Sequence, residues 1–179
     1  MKKYKFTGET KTIYLPFGTV TLHRIKAVVE FGLVKVGDLG GWIEKEENLS
    51  HEENAWVYGD AEVCGNAKVY GNAKVCGNAK VYGDAEVYGN AWVCGNAKVF
   101  STDHVLVIGA IGSRNDFTTF FRDKDNEITV KCGCFLGKID KFLEKVTQTH
   151  KDTKHTLAYR TAVEVAKLQI DLTEKSTRR

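Results

Sequence analysis

From Ala55 to Phe100 the chain repeats itself every six residues. Valine stands at Val57, Val63, Val69, Val75, Val81, Val87, Val93 and Val99, and an alanine precedes each by two, from Ala55 to Ala97. Glycine follows each of the first seven valines by two, from Gly59 to Gly95, with Asn or Asp next. An α-helix turns once per ~3.6 residues and cannot hold these positions on one face. Glycine at every sixth position would also break it. Short extended sides separated by regular turns do satisfy the period, so the repeat specifies a β-solenoid in which one unit stacks on the next.

In an extended side, residues two apart share a face. Alanine and valine are placed inward, which leaves Trp56, Glu62, Lys68, Lys74, Lys80, Glu86, Trp92 and Lys98 outside. The Gly-Asn/Asp pair takes the corner, because these residues tolerate positive φ. With three sides to a coil, residues 18 apart stack at about one strand spacing, ~4.8 Å. Tyr70 then lies over Tyr88, Cys76 over Cys94, and Cys64 in line with Tyr82 and Phe100.

Exposed solenoid ends aggregate, so caps are expected on both sides. Tyr4-Lys5-Phe6 and Val20 to Ile25 read as strands, and Gly37 to Ile43 leads in. Asn48-Leu49 is in register with Asn54-Ala55, so a degenerate coil begins near Gly41. After Phe100 the period vanishes. His104 to Ile108, Phe117 to Arg122 and Ile128 to Cys132 read as strands, with a loop at 109–116 and a turn at Asp123 to Asn126. Ile139, Phe142, Leu143 and Val146 form a helical stripe, and Ala158, Tyr159, Ala162, Val163, Val165, Ala166 and Ile170 mark a second helix. The fold class is mainly β: a short parallel β-helix (48–100) with an N-terminal β cap (1–47) and a C-terminal α+β module (101–179). The tail from Thr173 is expected to fray.

The valine followed four residues later by alanine resembles the hexapeptide repeat of left-handed β-helix proteins, a superfamily of bacterial acyltransferases and γ-class carbonic anhydrases. This sequence sets its glycine two residues after the aliphatic rather than one. The resemblance implies a left-handed coil and assembly as a homotrimer. Longer segments, 37–63, 109–121 and 130–146, resemble proteins encoded by bacteriophages and prophages to which no activity is assigned. That second resemblance implies a setting rather than a reaction.

The net charge is +3, and it lies in residues 101–179, where fourteen basic side chains meet eleven acidic ones. That excess is too small for a nucleic-acid polymer as partner. No apolar run reaches membrane-span length and Met-Lys-Lys lacks the apolar region of a signal peptide, so a cytoplasmic protein off the membrane is expected. Five cysteines without an export signal point to reduced thiols.

A γ-class carbonic anhydrase holds zinc through histidines on its coils, and residues 52–103 contain none. Cys132-Gly133-Cys134 has no second ligand pair at zinc-finger spacing, so neither metal nor cofactor is expected. Acyl transfer from a CoA thioester requires a general base, for which His51, His104, His150 and His155 are candidates; none lies in a recognisable transferase loop. The stronger binding candidate is the 109–116 loop with the strand after it. Ser113, Arg114 and Asn115 offer donors, Thr118, Phe120 and Arg122 share one strand face, and Lys131 on the next strand is assigned to that face. Hydroxyls, an aromatic ring and cations suit a phosphorylated nucleotide. Trp56 and Trp92, two coils apart, are assigned to one outer face as an oligomer interface. The leading expectation is therefore a non-enzymatic phage accessory protein that captures a host component, whether a host protein or a signalling nucleotide. An acyltransferase and a structural scaffold are the alternatives.

Overall fold

The computed structural model describes residues 1–16 and 18–173; residues 174–179, most of the tail expected to fray, lie outside the described residues. Three strands lead in: β1 (Tyr4–Leu15), β2 (Gly18–Ala27) and β3 (Leu39–Ile43). Eight two-residue strands follow at the period of the repeat: β4 (Trp56–Val57), β5 (Glu62–Val63), β6 (Lys68–Val69), β7 (Lys74–Val75), β8 (Lys80–Val81), β9 (Glu86–Val87), β10 (Trp92–Val93) and β11 (Lys98–Val99). Every alanine and valine of the repeat points inward, none more than 1% exposed. Pairing is parallel and joins residues 18 apart. Trp56 and Trp92 flank Lys74, Glu62 pairs with Lys80 and Lys80 with Lys98, and Lys68 pairs with Glu86. The result is a three-faced parallel β-solenoid of about three turns.

The corners explain the glycines. Gly77 has φ 69°, and a Cβ there would sit 3.0 Å from the backbone nitrogen of Gly95 one coil on. Only glycine meets both the dihedral and the stacking demand. Beside it the Asn/Asp positions form ladders: Asn54 Nδ2 donates to Asn72 Oδ1 at 2.9 Å, and Asn66 Nδ2 to Asp84 Oδ1 at 3.0 Å. The degenerate first coil starts at the expected place. Trp42 pairs with Glu62 and Leu49 with Val69, an offset of 20, which drops to 18 when Trp56 meets Lys74. Two extra residues are therefore absorbed between Leu49 and Trp56, where Glu53 takes φ 52°.

β1 and β2 form an antiparallel hairpin that pairs through β2 with β3, extending the β3-β5-β8-β11 face. Its apolar side chains go two ways. Tyr4, Ile25 and Ala27 join the solenoid core, while Leu22, with Ile13, Leu15 and Val20, covers Cys64 and Tyr82. Two outward assignments are corrected by this cover. Trp56 is 1% exposed, packed against Tyr4 and Phe31 at centroid distances of 6.1 and 5.3 Å. Glu62 is buried too, 2.7 Å from Lys11 Nζ and accepting from the Tyr82 hydroxyl. Their side chains leave the prism but meet the N-terminal cap instead of water.

Beyond β11 stands an antiparallel sheet of β12 (Val105–Ile111), β13 (Asp116–Arg122), β14 (Ile128–Cys132) and β15 (Phe135–Lys138), in that order. Helices α1 (Ile139–His150) and α2 (Lys154–Gln169) pack on it. β13 lies between two cores. Phe121 closes the solenoid core, while Phe120 joins Phe142, Val146, Tyr159 and Val163 under the helices. The Lys124 N–H donates to the Asn96 carbonyl at 3.0 Å, fastening the sheet to the last coil. The loop expected over 109–116 is half strand, at 109–111 and 116, with a turn at 112–115; β15 was not anticipated, since four residues show too little alternation.

The expectation of five thiols is corrected. Cys76 and Cys94, stacked one coil apart with Cα atoms 4.6 Å apart, form a disulfide, and Cys64, Cys132 and Cys134 remain free. Stacking at the coil spacing brings corner cysteines within disulfide reach. Among the described residues no helix is long and apolar enough to cross a membrane.

Candidate functional site

Because the two caps overhang the same side of the prism, they enclose a cleft of about 460 Å³ over the β4–β7–β10 face. Its floor is Lys74, Ala91 and Trp92; Leu33 and Asn54 bound it towards the N-terminus, and Asp116, Phe117, Thr119 and Lys131 towards the C-terminal sheet. Trp92 is 38% exposed. Its backbone N–H donates to Thr119 Oγ1 at 3.0 Å and its indole N–H to Cys76 Sγ at 3.1 Å, so the ring is tied to both the sheet and the disulfide.

Two ammonium groups converge on that ring. Lys74 Nζ lies 4.9 Å and Lys131 Nζ 4.0 Å from its centroid, both within cation–π range. Lys131 is only 8% exposed and also donates to the Gly133 carbonyl. Burial lowers its pKa, Cys134 and Cys132 work against that fall, and the charge of Lys74 adds to it. Among the described residues neither lysine has a carboxylate within ion-pair distance. Asp116 is the acid in the cleft wall, where Oδ1 accepts the Phe117 N–H at 2.7 Å.

The residues assigned to ligand binding are not gathered into one patch. Ser113, Arg114 and Asn115 are exposed on the β12–β13 turn. Thr118 is buried and its hydroxyl donates to Cys132 Sγ at 3.3 Å. Phe120 is core, edge-on to Phe142 at 6.4 Å. Arg122 is buried, with Nε donating to Asn126 Oδ1 at 3.0 Å and its guanidinium 5.9 Å from the Phe100 ring. Lys131 pairs across the sheet with Thr119, so it faces the solenoid and not the side of Thr118 and Phe120. It alone of the seven lines the cleft. Lys74, Phe117 and Thr119 were missed. Lys74 carried a signal, since it stacks directly under Trp92; Thr119 carried none.

The histidines lie elsewhere. His51 stacks on Tyr4 at 4.2 Å, its Nδ1 accepts the Lys3 N–H at 3.2 Å, and burial lowers its pKa despite Glu46 nearby. His104 is buried and its Nδ1 accepts the Phe100 N–H at 3.0 Å. His150 and His155 sit 5.8 Å apart near the α1–α2 turn. None of them lines the cleft. One acidic group, Asp123, Asp125 and Glu127, has the spacing of a cation site, but the ammonium of Lys138 bonds Asp123 and lies 2.5 Å from Glu127. For Asp123, burial would raise the carboxyl; Lys138, the Thr129 hydroxyl and the N–H groups of Asp125 and Glu127 outweigh it and hold the pKa below the usual range. The lysine supplies the charge a metal would bring.

No family model matches the chain. Over 62 residues it is 39% identical to a protein of Escherichia coli (strain K12) called uncharacterized acetyltransferase YdcK. The match covers 32% of this chain and 19% of that relative's length. The solenoid of about three turns and this likeness together fit the hexapeptide-repeat superfamily.

Proposed function

We propose that this chain is an acyltransferase of the hexapeptide-repeat kind, moving an acyl group from a CoA thioester to an amine or hydroxyl acceptor. The likeness to a protein named as an acetyltransferase, joined to the three-turn solenoid, carries the reading. In the reaction the acceptor heteroatom attacks the thioester carbonyl, the C–S bond breaks, and CoA leaves as the thiol. A base must take the acceptor's proton. His150 and His155 keep enough exposure for that role, whereas in His51 and His104 Nδ1 accepts a backbone N–H and Nε2 is buried. Assembly as a homotrimer belongs to the same proposal, since a neighbouring subunit would bring a histidine to a cleft that has none of its own.

The test is acetyl-CoA with a panel of amine and hydroxyl acceptors, following thiol release and acceptor mass, with the oligomeric state measured by light scattering. Acceptor-dependent release is expected, reduced about a hundredfold or more by alanine at His150 or His155. No release across the panel would count against transfer.

The missing histidine favours a second reading, binding without turnover. Here a phage or prophage accessory protein in the host cytoplasm would capture a host component, such as a cyclic or NAD-derived phosphorylated signalling nucleotide. Saturable thermal stabilisation by such a ligand, with the ligand recovered intact, is its expected signature.

A further inference from the structure

We infer that the cleft over the β4–β7–β10 face is a mononucleotide site, with a phosphate between Lys74 and Lys131 and a base lying on Trp92. This rests on the binding reading and places the ligand on residues other than the exposed 112–115 turn. Two like charges approach one indole with no acid paired to either, an arrangement whose repulsion an anion relieves. Lys131 is the more telling of the two. A lysine this buried is ordinarily paired, yet its oxygen partner here is one backbone carbonyl.

Without ligand the indole ring holds both ammoniums. A phosphate offers each a charge-assisted hydrogen bond, stronger than its contact with the ring, and the freed ring face becomes a stacking surface. The half-buried Lys74 has the freedom to make that exchange, while Trp92 is fixed at two points, by Thr119 and by Cys76. Asp116 in the cleft wall can accept from ribose hydroxyls, and the exposed amide of Asn90 ends the asparagine row on the same side. The volume of about 460 Å³ falls within the usual ~300–1,000 Å³ of small-molecule sites. The nucleotide end of a larger carrier such as CoA shares this chemistry, so the experiment separates the two sources.

The full-length chain is titrated with AMP and UMP, with adenosine, uridine and inorganic phosphate as the separate halves, and with CoA as the carrier arm. Tryptophan fluorescence and calorimetry are read together. A mononucleotide should saturate the signal, with nucleoside and phosphate each weaker by about tenfold or more. Lys74→Ala should weaken binding about tenfold and Trp92→Ala should abolish it, with circular dichroism confirming the fold; Arg114→Ala should change nothing. Lys131→Met keeps the aliphatic stem and should match Lys74→Ala. Mononucleotide binding that survives both Lys74→Ala and Trp92→Ala would leave the binding reading standing and overturn the site. Response to CoA alone would overturn the ligand class. Silence in every arm would overturn the inference, while the binding reading is decided separately by thermal stabilisation with cyclic and NAD-derived nucleotides.

Discussion

Lys3 carries its ammonium into the N-terminal end of the prism, where Nζ donates to the carbonyls of Ala55, Glu52 and Glu53 at 2.7, 3.1 and 3.4 Å. Burial lowers its pKa from the ordinary 10.5 to about 8, with Glu53 acting against the fall. Below pH 8 the folded and unfolded chains are both protonated here, and the contribution is flat. Between about 8 and 10.5 the unfolded chain holds the extra proton, so this group makes stability rise with pH. Urea midpoints from pH 7 to 10 should therefore climb for the wild type relative to Lys3→Met, by at most about 3 kcal/mol across the window. Parallel curves would show that the three carbonyls hold the ammonium charged throughout. Asp123 has a slope of the same sign in a lower window: its depressed pKa contributes stability above the unfolded value, and that stability is lost as the solution turns acid. Neither role is written in the local sequence. Met-Lys-Lys-Tyr-Lys reads as solvated charge until the first coil's end is placed over it.

At the scale of the element, what was legible depended on whether one face of a strand differs from the other. The repeat strands show small apolar residues inside and large or charged ones outside, so their direction follows from the sequence. β13 shows no such contrast, because Thr118 to Arg122 are all buried and the strand serves two cores. Its alternation gives two faces without saying which meets the solenoid, and Lys131, assigned to the face of Thr118 and Phe120, lies instead on that of Thr119. The corners were legible for a different reason, since glycine at each of them answers a backbone demand. Gly77 and Gly89 separate the two parts of that demand: φ is 69° and 62°, but only at Gly77 is a Cβ obstructed, 3.0 Å from Gly95 N, while at Gly89 nothing lies within 4 Å. Gly89→Ala should cost about 1–2 kcal/mol for the left-handed backbone alone. Gly77→Ala should cost more, up to about 3 kcal/mol, as measured by chemical denaturation. Equal losses would mean that the coils separate freely at the corner.

At the scale of the whole molecule, two caps and one cross-link hold a prism whose own core is only alanine and valine. The sheet closes the C-terminal end with Phe121, and the hairpin closes the other with Tyr4 and Ile25. That caps exist was legible, because a solenoid needs them; which side chains turn inward depended on contacts far apart in the chain. The Cys76–Cys94 bond joins neighbouring coils and closes a loop of 18 residues. In the oxidised, denatured protein three thiols should react with a thiol reagent, and five after reduction. Reduction should lower stability by up to about 3 kcal/mol, the loop-closure entropy returned to the unfolded chain. Five reactive thiols from the start would remove the cross-link.

The cleft is framed at one end by the N-terminal segment around Leu33 and at the other by the sheet around Phe117 and Lys131, with whole coils as the spacer between. The jaws are anchored to different ends, and the spacer is made of interchangeable 18-residue units. The prism is thus a caliper: one duplicated unit would part the jaws by a single strand spacing, ~4.8 Å, and leave both gripping surfaces intact. Copying a coil would resize what the jaws admit and lengthen the floor by one strand, with the residues of the jaws themselves unchanged.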